Sequence, residues 1–178
     1  MHTGVFVSVL SSTQYELERG MHMSAESVRT FFEEKGIADR IQTLHESTAT
    51  VALAAAALHI EEAQIAKTMA FMVEDQPVLV VCEGTARIDN HKFKETFHTK
   101  AKMMSAEQLM EYVGHEPGGV CPFGLKPGVD VYLDESLKHW DKVWPAAGAH
   151  NNAICVSLEE LEQYSGAKGW VDVTKDAA

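Results

Sequence analysis

The alternation of apolar and polar positions divides the chain into helical and extended segments. From Ser24, the residues Val28, Phe31 and Phe32 recur at helical spacing as far as Gly36, which predicts a helix with Ser24 as its N-cap. Arg40 to His45 alternates and reads as a short strand. Val51 to Leu58, rich in alanine and leucine, reads as a second helix. Gln64 to Val73 carries Ile65, Met69, Phe71 and Val73 and reads as a strand. After a turn at Glu74 to Pro77, the β-branched run Val78 to Cys82 predicts its hairpin partner.

The second half continues in the same way. Asp89 caps a predicted helix to Phe97, Lys100 to Met104 reads as a short strand, and Ser105 with Gln108 forms a capping box for a helix to Val113. Gly114 to Gly128, dense in glycine and proline, reads as a loop. Strands are predicted at Val129 to Leu133, Lys142 to Trp144 and Asn152 to Val156. Ser157 with Glu160 opens a last helix, and Val171 and Val173 suggest a terminal strand. Strands and helices interleave irregularly, with one evident hairpin and no repeat. The expected fold is a mixed α/β domain: a mixed, largely antiparallel, barrel-like sheet surrounded by helices.

Composition narrows the picture. The 178 residues suit one domain, read as residues 23–178 behind an N-terminal extension at 1–22. The extension holds a short apolar run, Val5 to Leu10, with no basic segment before it, unlike a secretory signal. The longest apolar stretch, Thr50 to Ile60, is too short to span a bilayer. Cys82, Cys121 and Cys155 are odd in number and widely spaced, which predicts neither a disulfide framework nor a zinc cage and points to a reducing cytoplasm. The histidines show no metal-ligand spacing, so neither a metal nor another cofactor is expected.

A net charge of −11 argues against a broad nucleic-acid surface. One local basic patch remains: Arg87, Lys92, Lys94, Lys100 and Lys102, with His91 and His98, against Asp89 and Glu95. It reads either as a contact for a short nucleic-acid end or as a solvated helix face.

Three segments together resemble one family. The first is Ala63 to Phe71, a strand with the single lysine Lys67. The second is Gly114 to Gly124, containing a G-x-x-x-P loop from Gly118 to Pro122 followed by Phe123-Gly124. The third is Ala146 to Asn151, just before a strand. Their order and spacing resemble the YbaK-like editing family, also found as an insertion domain in bacterial prolyl-tRNA synthetases. Val80 to Lys94, with Gly84, Asp89 and Lys92, is similar as well, and the likeness covers residues 24 to about 173. The resemblance implies an aminoacyl-tRNA deacylase that acts in trans on mischarged tRNA. It also implies a small amino acid (alanine, cysteine, serine or threonine), the tRNA acceptor end as partner, and a synthetase as a possible second partner.

The chemistry fits these residues. An aminoacyl ester is already activated, so hydrolysis needs a placed water and a site for the developing oxyanion, not a triad or a metal. A lysine within an apolar strand either snorkels to solvent or meets an anion. By resemblance, Lys67 contacts the tRNA 3′ end near its phosphate or the ester, as a binding charge and not as a base. Gly118 and Gly119 let the backbone approach a ligand closely, and Pro122 stiffens the exit. Read without the family, this loop is a plain turn. His150 is a candidate for positioning substrate; the other reading is a surface histidine. Lys67, Gly118, Gly119 and His150 form the expected catalytic set. Thr68, Val120, Cys121, Pro122, Phe123, Gly148, Leu53 and Met69 are expected to bind substrate, with Leu53 and Met69 core residues by default.

Two rival readings stay open. The same cleft could hold a tRNA 3′ end or an aminoacyl-nucleotide without catalysis. Alternatively, Cys121 beside His115 could act as a nucleophile if a partner lowers the thiol's pKa.

Overall fold

The structure is a computed structural model and describes residues 24–45 and 50–177. The expected extension at 1–22 lies outside the described residues. The first helix, α1, covers residues 24–34. Val28 and Phe32, one turn apart, are fully buried and define its inner face. Ser24 is already helical, and its hydroxyl donates to the carbonyl of Gly148, far along the chain, where an N-cap had been expected.

The strand β1 is Gln42–Thr43. The helix α2, Val51–Leu58, starts where the Thr50 side chain accepts from the Leu53 N–H at 3.2 Å. A 3-10 turn, Glu62–Gln64, leads into β2, Ile65–Val73, and the hairpin returns as β3, Gln76–Glu83. Val78 to Cys82 are all buried, as expected for a strand covered on both faces. Next come β4, Arg87–Ile88, and α3, Asn90–Phe97, capped by Asp89. The helix α4, Ala106–Gln108, opens with the expected capping box and runs on as a π-type turn through Leu109–Val113. After the loop come β5, Asp130–Asp134, β6, Lys142–Pro145, β7, Asn152–Ala153, and β8, Val156–Ser157. The chain closes with α5, Leu158–Ser165, β9, Trp170–Val171, and β10, Thr174–Lys175.

The main sheet has six strands in the order β8-β6-β2-β3-β5-β9 and curls into a half-barrel. Two small sheets, β1 with β7 and β4 with β10, flank it. Within the six-stranded sheet two pairings are antiparallel and three are parallel, while both small sheets are antiparallel, so the main sheet is mixed as expected. Ala66, Ala70, Leu79 and Val81 face the larger core with α1 and α5; Phe71, Val78 and Val80 face a smaller one under α3, around Phe93.

Three expected strands take another form. Lys100 to Met104 makes only one bridge, Met103 to Phe71, because it meets β2 over just a few residues. Asn152 to Val156 splits: β7 pairs with β1, whereas β8 pairs with β6. The terminal strand also splits. The buried Asp134 carboxylate accepts the Val173 N–H at 2.9 Å and the Thr174 hydroxyl at 2.7 Å, and this turns the chain from β5 towards β4.

Candidate active site

The edge of β2 is interrupted, and the interruption makes the site. β6 runs beside β2 only at Ile65 and Ala66. Farther along, the Ala70 carbonyl accepts from the Met104 N–H at 2.9 Å, and the Met72 N–H donates to the Lys102 carbonyl at 3.0 Å. Backbone groups alternate in direction along a strand, so the N–H and C=O of Thr68 face this same edge. No strand pairs with them there among the described residues. The Thr68 hydroxyl is also buried without a hydrogen-bond partner among the described residues.

A cleft of about 220 Å³ opens at this gap. Thr50, Val51 and Ala54 at the start of α2 form one wall, and Ile65 to Thr68 form the floor. Gly118 and Val120 come from the long loop, and Trp144, Ala146, Ala149, His150, Asn152 and Ala153 close the other side. Three segments distant in sequence therefore meet in one concavity: Lys67 with Thr68, Gly118 with Val120, and His150. Its lining mixes small apolar side chains with the polar groups of Thr50, Lys67, Thr68, His150 and Asn152 in comparable measure.

Lys67 is half-buried and lies opposite Cys82 across the hairpin. Its ammonium donates to the carbonyl of Ala86, the residue that precedes β4. No carboxylate pairs with it among the described residues, so an anion in the cleft would meet a cation whose charge is not already neutralised. Burial pushes the Cys82 thiol up to about 12, with Lys67 pulling the other way.

The long loop is fastened to the segment before β7 by close backbone approach. A Cβ on Gly119 would lie 2.8 Å from the backbone of Gly148 and Ala149, and one on Gly148 would lie 2.6 Å from the Ser24 carbonyl oxygen. Only glycines allow α1, the loop and this segment to meet so closely. The Asn152 amide completes the clamp. Its oxygen accepts the N–H groups of Ala147 and Ala149 at 3.2 and 3.0 Å, and its NH₂ donates to the Ala147 carbonyl at 3.1 Å. His150 follows this clamp, and its Nδ1 lies 3.8 Å from Oε1 of the buried Glu116. Burial raises the Glu116 carboxyl above its usual range, and His150 opposes the shift.

Other expected residues lie elsewhere. Cys121, Pro122 and Phe123 are buried and do not line the cleft. The Phe123 ring centroid is 4.7 Å from that of Phe32 and 6.0 Å from that of Phe31, so this ring belongs to the core. Gly119 and Gly148 are buried at the contact just described. Leu53 is exposed on α2, and Met69 packs against the smaller core. Of the basic patch, Arg87, Lys94, Lys100 and Lys102 are exposed, whereas Lys92 is held by Asp172 at 2.8 Å and by the Thr174 carbonyl at 2.9 Å. None of the five lines the cleft.

The nucleophile reading of Cys121 meets a physical obstacle. The thiol is fully buried and its pKa is pushed up to about 12. His115 Nδ1 already accepts the Cys121 N–H at 3.4 Å, and burial lowers this imidazole to about 4, so it is a neutral structural group. Sequence reasoning missed Asn152 and Glu116. An asparagine after a small-residue turn is a known backbone clamp, a signal that was available for Asn152. Glu116 carries no such signal, because a loop glutamate normally points to solvent.

Residues 45–164 match the sequence model of a family described as the aminoacyl-tRNA editing domain. YwhH, an uncharacterized protein of Bacillus subtilis, is 44% identical over 155 residues, covering 86% of this chain and 99% of that protein. The proline–tRNA ligase of Bacillus subtilis is 29% identical over 145 residues, covering 81% of this chain but only 22% of that enzyme. A crystal structure provisionally described as a trans-editing enzyme for prolyl-tRNA synthetase superposes with a TM-score of 0.77 at 29% identity, covering 85% of this chain and 97% of that one.

Proposed function

Because the chain belongs to the aminoacyl-tRNA editing domain family, we propose that it is a trans-editing deacylase, hydrolysing the ester that joins a small amino acid to tRNA. One observation carries this reading: Lys67, Gly118 and His150 line a single cleft. The Lys67 ammonium supplies a fixed positive charge for the 3′-terminal phosphate or the ester. The backbone N–H groups of Gly118 and Val120, the two loop residues that line the cleft, polarise the acyl carbonyl as negative charge develops on it, those of Gly119 and Cys121 being engaged by the Glu116 carbonyl and His115 Nδ1. His150 orients the attacking water. The unpaired edge of Thr68 offers a donor and an acceptor to the polar part of the aminoacyl group. Alanine side chains along the walls (Ala54, Ala66, Ala146 and Ala153) and a volume of about 220 Å³ favour alanine, cysteine, serine or threonine as the amino acid removed. Discrimination among them by one methyl group is worth only about 1–3 kcal/mol.

The test is a deacylation panel, with tRNAs charged with each of these amino acids given to the wild type and to Lys67→Ala. The wild type is expected to hydrolyse at least one. Lys67→Ala should slow that reaction by about 100-fold, the scale of losing one oriented electrostatic group, with an unchanged near-UV circular dichroism spectrum. Binding without hydrolysis across the whole panel would favour a non-catalytic tRNA-end module. Wild-type turnover in Lys67→Ala would remove the lysine from the mechanism.

A further inference from the structure

Glu116 is the buried charge that the reading above leaves unused. It lies in the long loop between His115 and Pro117, and its carbonyl accepts the Gly119 N–H at 3.2 Å. A glutamate in a loop ordinarily keeps its carboxylate in water, because burying one without partners costs several kcal/mol. Here only 6% of the side chain is exposed. Its Oε1 makes no hydrogen bond among the described residues. The group that faces this oxygen is the His150 imidazole, with Nδ1 at 3.8 Å, longer than a hydrogen bond but within ion-pair range. Around the pair the backbone leaves little play. A Cβ on Gly118 would sit 3.2 Å from that of His150, and Asn152 holds the residues just before it. His150 thus stands between a buried carboxylate and the cleft that it lines.

We propose that Glu116 is a positioning residue of this centre: its carboxylate holds the Nδ1 edge of His150, which turns Nε2 towards the substrate as acceptor of the hydrolytic proton. The inference rests on the editing reading of the same cleft. In the step it describes, water oxygen bonds to the acyl carbon while one water proton passes to Nε2. The tetrahedral intermediate then expels the ribose oxygen, breaking the C–O bond, and that oxygen takes the proton back from Nε2. Amino acid and tRNA hydroxyl are released, and His150 returns to its starting form. Glu116 exchanges no proton. It fixes the tautomer with hydrogen on Nδ1 and stabilises the imidazolium that forms between the two transfers. The step requires the 3.8 Å separation to shorten to hydrogen-bond length.

The alternative is a contact that merely ties two loops together, and kinetics distinguish the two. Glu116→Gln, nearly isosteric, is expected to lower kcat by at least tenfold with KM within twofold. In a His150→Ala background the same substitution should have no further effect, because the carboxylate acts only through the imidazole. Full kcat in Glu116→Gln, or an equal further loss in the His150→Ala background, would overturn the proposal. A second measurement needs no substrate: the long-range ¹H–¹⁵N spectrum of the His150 ring in the protein alone. Hydrogen on Nδ1 is expected in the wild type and on Nε2 in Glu116→Leu. A tautomer that ignores Glu116→Leu overturns the inference even if every aminoacyl-tRNA is hydrolysed. A wild type that hydrolyses none, with the tautomer set by Glu116, leaves the pair standing and sinks the editing reading.

Discussion

Lys67 and His115 show how two basic side chains take opposite roles in different surroundings. Lys67 is a cation held at a wall of the cleft by a single carbonyl, with no carboxylate paired to it among the described residues. His115 is an ionisable group kept neutral, with no side-chain surface exposed. Burial lowers its pKa from 6.5 to about 4. Between those values the unfolded chain binds a proton that the folded chain refuses, so acidification favours unfolding. The stability from the neutral imidazole is complete above pH 6.5 and drains away as pH falls towards about 4. At about 1.4 kcal/mol per pH unit the loss reaches roughly 3 kcal/mol. Urea denaturation across this window should show the decline, and His115→Asn should flatten it. An equal slope in both proteins would mean that another group carries the acid sensitivity. The raised carboxyl of Glu116 works in the opposite sense and is common to both proteins, so the comparison isolates His115.

Elements in this fold are often closed by side chains from elsewhere. The helices α3, α4 and α5 are capped locally by Asp89, Ser105 and Ser157, and those caps were legible as sequence patterns. The Asp134 carboxylate does more. It accepts from the Ser136 N–H at 3.0 Å next to its own strand and from Val173 and Thr174 near the C-terminus, and so joins β5 to the turn between β9 and β10. Asp134→Ala would leave these buried donors unpaired and should cost about 3 kcal/mol, the scale of losing a small buried polar network. A fall of that size in the unfolding free energy from urea denaturation, with amide exchange quickened at Val173 and Thr174, is the expected outcome. Protection unchanged at those two amides would mean that β10 is held by its pairing with β4 alone. The splitting of the terminal strand was hidden from sequence because a β-branched run reads as one strand wherever it turns.

At the level of the whole molecule, charge and topology pull apart. A net charge of −11 repels a polyanion, and the basic side chains of the Arg87 to Lys102 region lie outside the cleft. Arg87, Lys94, Lys100 and Lys102 are exposed and available for phosphates, while Lys92 is engaged by Asp172. So small a contact predicts weak, salt-sensitive capture of a single-stranded tRNA end. The slope of log kcat/KM against log salt should be about −2, the release expected from about three phosphates. A slope near zero would rule out phosphate contact as the source of affinity, and one several times steeper would require a much broader docking surface. The curled sheet explains why the cleft exists. β6 and the Met103 segment each pair with part of the β2 edge, and between them no strand pairs with the stretch around Thr68 among the described residues.

Sequence alone determined the helices, the caps of α3, α4 and α5, the β2–β3 hairpin and the mixed character of the sheet, and a family resemblance singled out three separate segments. The elements are local matters, set by periodicity and capping residues; the segments stood out by their order and spacing. Tertiary structure decided which residues share the cleft. It brought Lys67, Gly118 and His150 together and sent Cys121 and Phe123 into the core, because the packing of Phe123 against Phe31 and Phe32 fixes which way the loop faces. It also turned Glu116 inward beside His150 and, among the described residues, left the edge of Thr68 unpaired. No local pattern encodes either result, since both depend on where distant strands stop pairing and on how closely two glycine-containing segments can approach.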